Sequence, residues 1–341
     1  MNKGREVTIY DIAKELNLSA STVSRSLKGN NVIKKATRDK VTSCAERLGY
    51  RTNAFARNLR KQKTYTIGAI IPRLDSSFMS TCLAGMEEVA NDKGYNLIIS
   101  QSHESIKKEA ENAKTMFDNR VDGVIVSLTV QDSDLSYFNQ FKNKNVPIVF
   151  FDRIPSQPEN VCVVVDNYNA AYNVAKHLIQ QGSKRLVHLT IDSKSNVYVD
   201  RLEGFKQAAI DNNCDFKAFF MDEMNIDSGR KGAKQILAMD KLPDGIFVSN
   251  DMAAVGCMLE LKDNGIEIPS QIAIVGFNND AVSTIVSPQL STVSYPGREA
   301  GILAAKSLIG FLEGEQDYAQ NGKVVLNSEL VVRKSSFRKI N

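Results

Sequence analysis

The stretch VTIYDIAKELNLSASTVSR, residues 7–25, decides how the beginning of the chain folds. Thr8 stands where a helix N-cap belongs, with Asp11 three residues on as its capping-box partner. Ile12, Ala13 and Leu16 then share one face. Asn17, Leu18 and Ser19 form a tight turn. Ser19 doubles as the N-cap of a second helix, Ala20 to Lys28, with Val23 and Leu27 on one side. Gly29, Asn30 and Asn31 break that helix. Val41, Ala45 and Leu48 predict a third helix from about Lys35 to Leu48, stopped by Gly49. Three short helices with a three-residue turn between the first two match helix-turn-helix geometry. Asn53 to Arg60 reads as one more short helix, too short to be stable alone in water. Lys61 to Thr64 reads as a linker.

The charge distribution divides the chain at the same place. Residues 1–63 hold 15 Lys and Arg against 5 Asp and Glu, whereas the remainder holds 28 basic and 34 acidic residues. A basic head on an acidic body suggests a nucleic-acid-binding module attached to something else. With 341 residues, 43% hydrophobic and 24% charged, the chain has room for two or three ordinary globular domains. The five cysteines are scattered, without CxxC pairs or zinc-ligand spacing, which fits a reducing cytosol. The polar start, Met1 to Glu6, is no signal peptide, and apolar runs such as Val146 to Phe151 are too short to span a bilayer.

From Tyr65 the texture changes. Strand-like runs (Thr66–Ile71, Asn96–Ser100, Gly123–Ser127, Ile148–Phe151, Val161–Val165, Leu186–Thr190, Gly245–Ser249, Ile272–Gly276) alternate with helical stretches such as Met79–Lys93, Lys107–Asn119, Ala170–Gln181, Leu202–Asn212 and Met252–Asn264. Apolar strands alternating with helices predict parallel sheets with helices on both faces. Eight such strands predict two lobes. The fold class is therefore an all-α helix-turn-helix head joined to an α/β two-lobe domain.

Residues 7–25, together with LGYRTNAFARNLR (residues 48–60), resemble the lactose/galactose repressor (LacI/GalR) family, and the resemblance extends over essentially the whole chain. It implies a periplasmic-binding-protein-like sensor and a cytoplasmic, homodimeric, ligand-controlled DNA-binding regulator, with no cofactor and no metal. It divides the chain into a helix-turn-helix domain (1–52), a hinge helix and linker (53–63) and an effector-binding and dimerisation domain (64–341). The lobes would comprise about 64–163 with 296–323, and 164–295 with 324–341, crossing near Val164, Tyr295 and Val324. No C-terminal leucine heptad follows Arg333, which favours a dimer over a tetramer.

The second helix of a helix-turn-helix enters the major groove with its first residues, here Ala20, Ser21 and Arg25. Arginine grips a guanine edge in two places, serine donates or accepts, and alanine can only touch a thymine methyl. Thr8, Tyr10, Ser19, Thr22, Ser24 and Asn30 are candidates for phosphate contacts; for Thr8 and Ser19 capping is the alternative role. The resemblance implies that Asn53, Ala56 and Leu59 belong to a hinge helix whose leucine wedges into the minor groove at a central CG step. Arg57 and Arg60 would contact phosphates nearby. An apolar wedge of this kind unstacks a flexible pyrimidine–purine step and kinks the duplex. A plain linker leucine is the alternative reading of Leu59.

In the sensor, polar residues follow the strands: Arg73, Asp75 and the ring of Phe78; Asp152 and Arg153; Asp192, then Arg201; Asn250 and Asp251; Asn278 and Asn279. Ligands of open α/β sheets bind beyond the carboxyl ends of strands. These carboxylates, amides, arginines and the ring suit a polyhydroxylated or anionic small molecule. By resemblance, Arg201, Asn250 and Phe78 occupy effector-contacting positions, and Asn278 stands where many members carry Asp. With Asp75, Asp152, Arg153 and Tyr295 these form the candidate effector set, for a sugar-like ligand. The alternative is control by a protein partner or a non-sugar metabolite. There is no GxSxG, Walker loop, HExxH or strand-following GxGxxG, and none of the three histidines neighbours a nucleophile in sequence, so the chain is not expected to be an enzyme.

Overall fold

The computed structural model describes residues 7–30, 32–50, 63–131, 134–315 and 322–338. The chain separates into two compact units, 1–64 and 65–341. Asn53, Ala56, Arg57 and Leu59, and with them the expected hinge helix, lie outside the described residues.

Among the described residues, the first unit consists of helices α1 (Ile9–Glu15), α2 (Ala20–Leu27) and α3 (Lys35–Leu48). The Asp11 carboxylate accepts from the Thr8 backbone N–H at 2.8 Å and from its hydroxyl at 2.7 Å, tying down the start of α1. Ser19 caps α2 by accepting from the Thr22 N–H. Asn17, with φ of 53°, turns the chain between the two helices, and Gly49, with φ of 69°, ends α3 in the left-handed conformation that glycine adopts without cost. Ile12, Ala13, Val23, Val41, Cys44 and Ala45 form the core, flanked by half-buried Leu16, Ala20 and Leu48 among others.

Among the described residues, the second unit contains two six-stranded sheets. The strands are β1 (Thr66–Ile71), β2 (Asn96–Gln101), β3 (Gly123–Val126), β4 (Ile148–Phe151), β5 (Cys162–Val165), β6 (Arg185–Ile191), β7 (Asp215–Met221), β8 (Gly245–Val248), β9 (Ala273–Asn278), β10 (Ser291–Ser294), β11 (Lys323–Leu326) and β12 (Glu329–Val331). The first sheet runs β11-β5-β4-β3-β1-β2 and the second β12-β10-β9-β8-β6-β7. All pairings are parallel except β10 with β12. Strands β3, β4, β5 and β8 are buried along their whole length, as expected of strands covered on both faces.

Among the described residues, nine α-helices link the strands: α4 (Ser77–Asp92), α5 (Ile106–Asp118), α6 (Asn139–Lys142), α7 (Asn167–Gln180), α8 (Asn196–Asp211), α9 (Ile226–Leu237), α10 (Asp251–Asp263), α11 (Val282–Ile285) and α12 (Gly297–Glu313). Helices α4 and α12 approach so closely that a Cβ at Gly85 would strike the Arg298 carbonyl, and one at Gly301 the Cys82 carbonyl.

The chain passes between the sheets three times: after β5, between β10 and α12, and between β11 and β12. The first and third passages are tied together by the Asp166 N–H donating to the Leu326 carbonyl at 2.9 Å. Strands β5 and β11 remain in the first sheet through Val165 and Leu326, and the first and third passages begin beyond them. In both cases a strand's ladder carries the chain on to its natural end before it can leave the sheet.

Candidate functional site

Both units present surfaces whose chemistry follows from their local structure. In the first, Val23 and Ser26 are buried while Ser21 and Arg25, four residues apart on α2, share its outer side. Tyr10 on α1 is 69% exposed. Among the described residues neither Tyr10 nor Arg25 has a hydrogen-bond partner, so both retain their polar groups for something outside the chain. The Ser19 hydroxyl lies 2.9 Å from that of Ser21 and 2.8 Å from that of Thr22 at the start of α2. Ser24 is half-buried, and Asn30 accepts from the Val32 N–H at 2.9 Å. Ala20 packs against the core, so its contribution to a surface is confined to what remains of its methyl group. Thr8 is committed to its cap.

In the second unit, Asp75, Phe78, Asp152, Arg153, Arg201, Asn250, Asn278 and Tyr295 all line one cavity of about 590 Å³. Most of them follow the carboxyl ends of β1, β4, β8 and β9, while Arg201 comes from α8 and Tyr295 from the crossing after β10. They are not a loose collection. Arg201 is only 3% exposed. Its Nε donates to Asn167 Oδ1 and its Nη1 to the Ser249 carbonyl, both at 2.9 Å. Its guanidinium lies 3.5 Å from the Phe277 ring centre and 5.0 Å from that of Tyr295. The Tyr295 hydroxyl donates to Asp152 Oδ1 at 3.0 Å and accepts from Asn167 Nδ2 at 3.2 Å. Phe78 packs on Tyr295 with 4.3 Å between ring centres.

This network spans the two sheets. Asn196, opening α8 on the second lobe, donates to the Asp152 carbonyl and accepts from the Ile154 N–H. Burial raises the Asp280 carboxyl on the second lobe, against the pull of Asn278 and of Ser77 on the first. Burial pushes the Asp152 carboxyl up, against the pull of Arg153 and Arg201. Burial also raises Asp251 to about 7, although Thr292 and the Asp280 N–H both donate to it. Behind Arg201, burial and then the Arg201 charge hold His188 down at about 3; its Nε2 lies 2.7 Å from Ser249 Oγ and its ring stacks on Phe247.

Three of the expected residues are committed more fully than their sequence positions suggest. Arg153 forms a two-pronged pair with Glu104, at 2.7 and 3.1 Å. Arg73 and Asp75 do the same with each other at the rim, at 2.9 and 2.6 Å. Asn250 caps α10 by accepting from Met252 and Ala253 N–H groups, which leaves its Nδ2 to donate into the cavity. Four lining residues, His103, Glu104, Asp152 and Asn278, sit at positive φ. For the non-glycine residues this costs about 1–2 kcal/mol each, a concentration of strain typical of binding sites.

Several lining residues escaped sequence reasoning. Asp222 and Glu223 follow β7, whose sequence DFKAFFM mixes charges into a half-exposed edge strand and gives no continuous apolar run. Tyr198 lies on α8, away from any strand end; Glu104 follows the run Asn96–Ser100, in the turn before α5, but is not singled out there. Asn167 and Phe277 stand behind the wall and act through their contacts with Arg201.

A family profile described as bacterial regulatory proteins, lacI family, matches residues 8–53, and one described as a periplasmic binding protein-like domain matches residues 175–336. The chain is similar to catabolite control protein A of Priestia megaterium, 34% identical over 314 residues that cover 91% of this chain and 93% of that protein. It is also similar to the HTH-type transcriptional regulator RegA of Clostridium saccharobutylicum, 32% identical over 333 residues, 96% of this chain and 99% of that one. In fold it is similar to the lac repressor dimer solved with operator and the anti-inducer ONPF, with a TM-score of 0.87, 23% identity, and coverage of 98% of this chain and all of that one.

Proposed function

Because the chain belongs to the lacI family of bacterial regulatory proteins and is a DNA-binding transcriptional regulator, we propose that it is a homodimeric, cytoplasmic repressor whose operator affinity is set by a sugar-like molecule in the cavity between the two lobes. The convergence of eight side chains, from Asp75 to Tyr295, on a single cavity carries this reading. A dimer of helix-turn-helix heads related by a two-fold axis calls for a pseudo-palindromic operator. Arg25 and Ser21 read base edges; Tyr10, Thr22, Ser24 and Asn30 hold phosphates, with Thr8 and Ser19 adding to this through their capped helix ends. Asn53, Ala56 and Arg57 support Leu59, which wedges into a central CG step.

A ligand alters DNA binding only if it favours one lobe arrangement over another. The bonds that join the lobes, Asn196 to the 152–154 backbone and Tyr295 to both Asp152 and Asn167, run along the cavity wall. A molecule that takes over Asp152 or the edge of Arg201 therefore competes with the contacts that fix the lobes. The relatives named above are regulators, and a solved structure similar in fold, with TM-score 0.72 and 22% identity, is that of a transcriptional regulator CelR–cellobiose complex.

Two experiments test the proposal. Selection of bound sequences from random duplex DNA should enrich an inverted repeat centred on CG, and Leu59→Ala should abolish tight binding to it while leaving sensor stability unchanged. A thermal-shift screen of the full chain against mono- and disaccharides should find at least one stabilising sugar, because a ligand at 100 times its Kd adds about 2.7 kcal/mol. Absence of any shift would transfer control to a protein partner or a non-sugar metabolite.

A further inference from the structure

The charge of the cavity wall restricts what it can hold. Seven carboxyl groups line it against three guanidinium groups, an excess of four acids over bases. Two of the three cations are already neutralised within the protein, Arg73 by Asp75 and Arg153 by Glu104. That leaves Asp152, Asp192, Asp222, Glu223 and Asp280 facing Arg201 alone. Arg201 in turn is held by Asn167, the Ser249 carbonyl and the face of Phe277, so its fork is not open for a bidentate grip on a phosphate or carboxylate. The strain-bearing turn at His103–Glu104 keeps the Glu104 carboxylate on Arg153, which removes the other obvious anion receptor.

We propose that this cavity selects its effector by charge: it takes an uncharged or amine-bearing polyhydroxylated molecule and rejects the phosphorylated or carboxylated form of the same molecule. The inference rests on the small-molecule reading of the cavity given above and narrows it. Hydroxyl groups donate to carboxylates, so a polyol satisfies acceptors that an anion would repel. Enclosing the ligand also takes the carboxylates further out of water, which an ammonium offsets and a phosphate worsens. The anionic ligand left open by the order of residues along the chain is thereby excluded. What the sequence could not display is that the arginines of the wall are consumed by neighbouring acids.

The test is isothermal titration of the full-length protein with matched sets differing only in charge, for example glucosamine, glucose and glucose 6-phosphate, with the corresponding galactose and disaccharide sets. In any set that binds, affinity should fall from amine to neutral to phosphate, the phosphate at least about tenfold weaker than the neutral sugar. The combined variant Asp222→Asn, Glu223→Gln removes two exposed carboxylates from the rim; it should narrow the gap between neutral and phosphorylated sugar, as should raised salt. A phosphorylated or carboxylated sugar that binds as tightly as its neutral parent overturns the charge rule while leaving the small-molecule reading intact. Failure of every member of every set removes the saccharide reading itself, and the charge rule with it.

Discussion

The two units handle their polar side chains in opposite ways. In the helix-turn-helix unit, six buried residues make the core, and Tyr10 and Arg25 stand outside it without partners among the described residues. In the two-lobed unit, the polar groups around the cavity are already spent on one another: Arg201 on Asn167 and Ser249, Arg153 on Glu104, Tyr295 on Asp152. An uncommitted surface binds by adding contacts to an unchanged fold. A self-satisfied one binds by exchange, so its ligand must perturb the bonds that hold the structure together. That difference suits a rigid reader of DNA on one side and a switch on the other, and it makes different demands on substitutions in the two units.

The largest effect should come from Arg201→Ala. It strands the Asn167 amide and the Ser249 carbonyl in a buried site and empties the space over Phe277, so the two-lobed unit should lose about 2–4 kcal/mol in denaturant unfolding. The response of operator binding to sugar should disappear as well. A variant that stays as stable as the parent would mean that the network is dispensable and the contrast between the units is wrong. Arg25→Ala should do the reverse. Operator affinity should fall by about 1–3 kcal/mol, with relaxed preference at one base pair and no change in melting temperature. A drop in melting temperature would show that Arg25 is committed after all.

His188→Gln sharpens the comparison through pH. Burial holds the folded pKa of His188 at about 3, against about 6.5 when unfolded. Between those values the unfolded chain binds the extra proton, so this stabilisation is present above about pH 6.5 and is lost as pH falls toward 3. Asp251, raised to about 7, acts in the opposite sense: its contribution is complete below about pH 4 and is lost as pH rises through 7. Comparing parent and His188→Gln isolates the histidine. The variant should lack a slope of up to about 1.4 kcal/mol per pH unit in stability between pH 4 and 6; identical slopes would argue against a buried neutral ring. The smallest effect belongs to Arg73→Ala. The Arg73–Asp75 pair is exposed on both sides, at 46% and 64%, and should contribute within about 0.5 kcal/mol to unfolding stability. A larger loss would mean that the rim belongs to the inner network.

How much of this was legible in the chain depended on how local each signal is. The head was readable because every cue acts within a turn or two: Thr8 with Asp11, Ser19 with Thr22, Gly49 after Leu48. The apolar central strands β1, β3, β4 and β8 announced themselves as unbroken runs. Strands β7, β10, β11 and β12 did not, since they are short or lie at sheet edges where half of each side chain meets water or a loop. The cavity followed the same rule. Positions after strand ends, such as Asp152 and Asn250, can be anticipated from order along the chain. Pairings such as Arg153 with Glu104, 49 residues apart, cannot, and it is these pairings that set the charge the ligand meets.

The most direct test of the account is the operator affinity of the full-length protein, measured by fluorescence anisotropy on the selected inverted repeat at fixed salt, with and without a saturating amount of the first neutral sugar that stabilises the protein. The account predicts a change in Kd of about tenfold or more, the scale of ordinary allosteric coupling. An unchanged Kd with the sugar demonstrably bound would contradict it, because the cavity would then hold a ligand without any bearing on DNA.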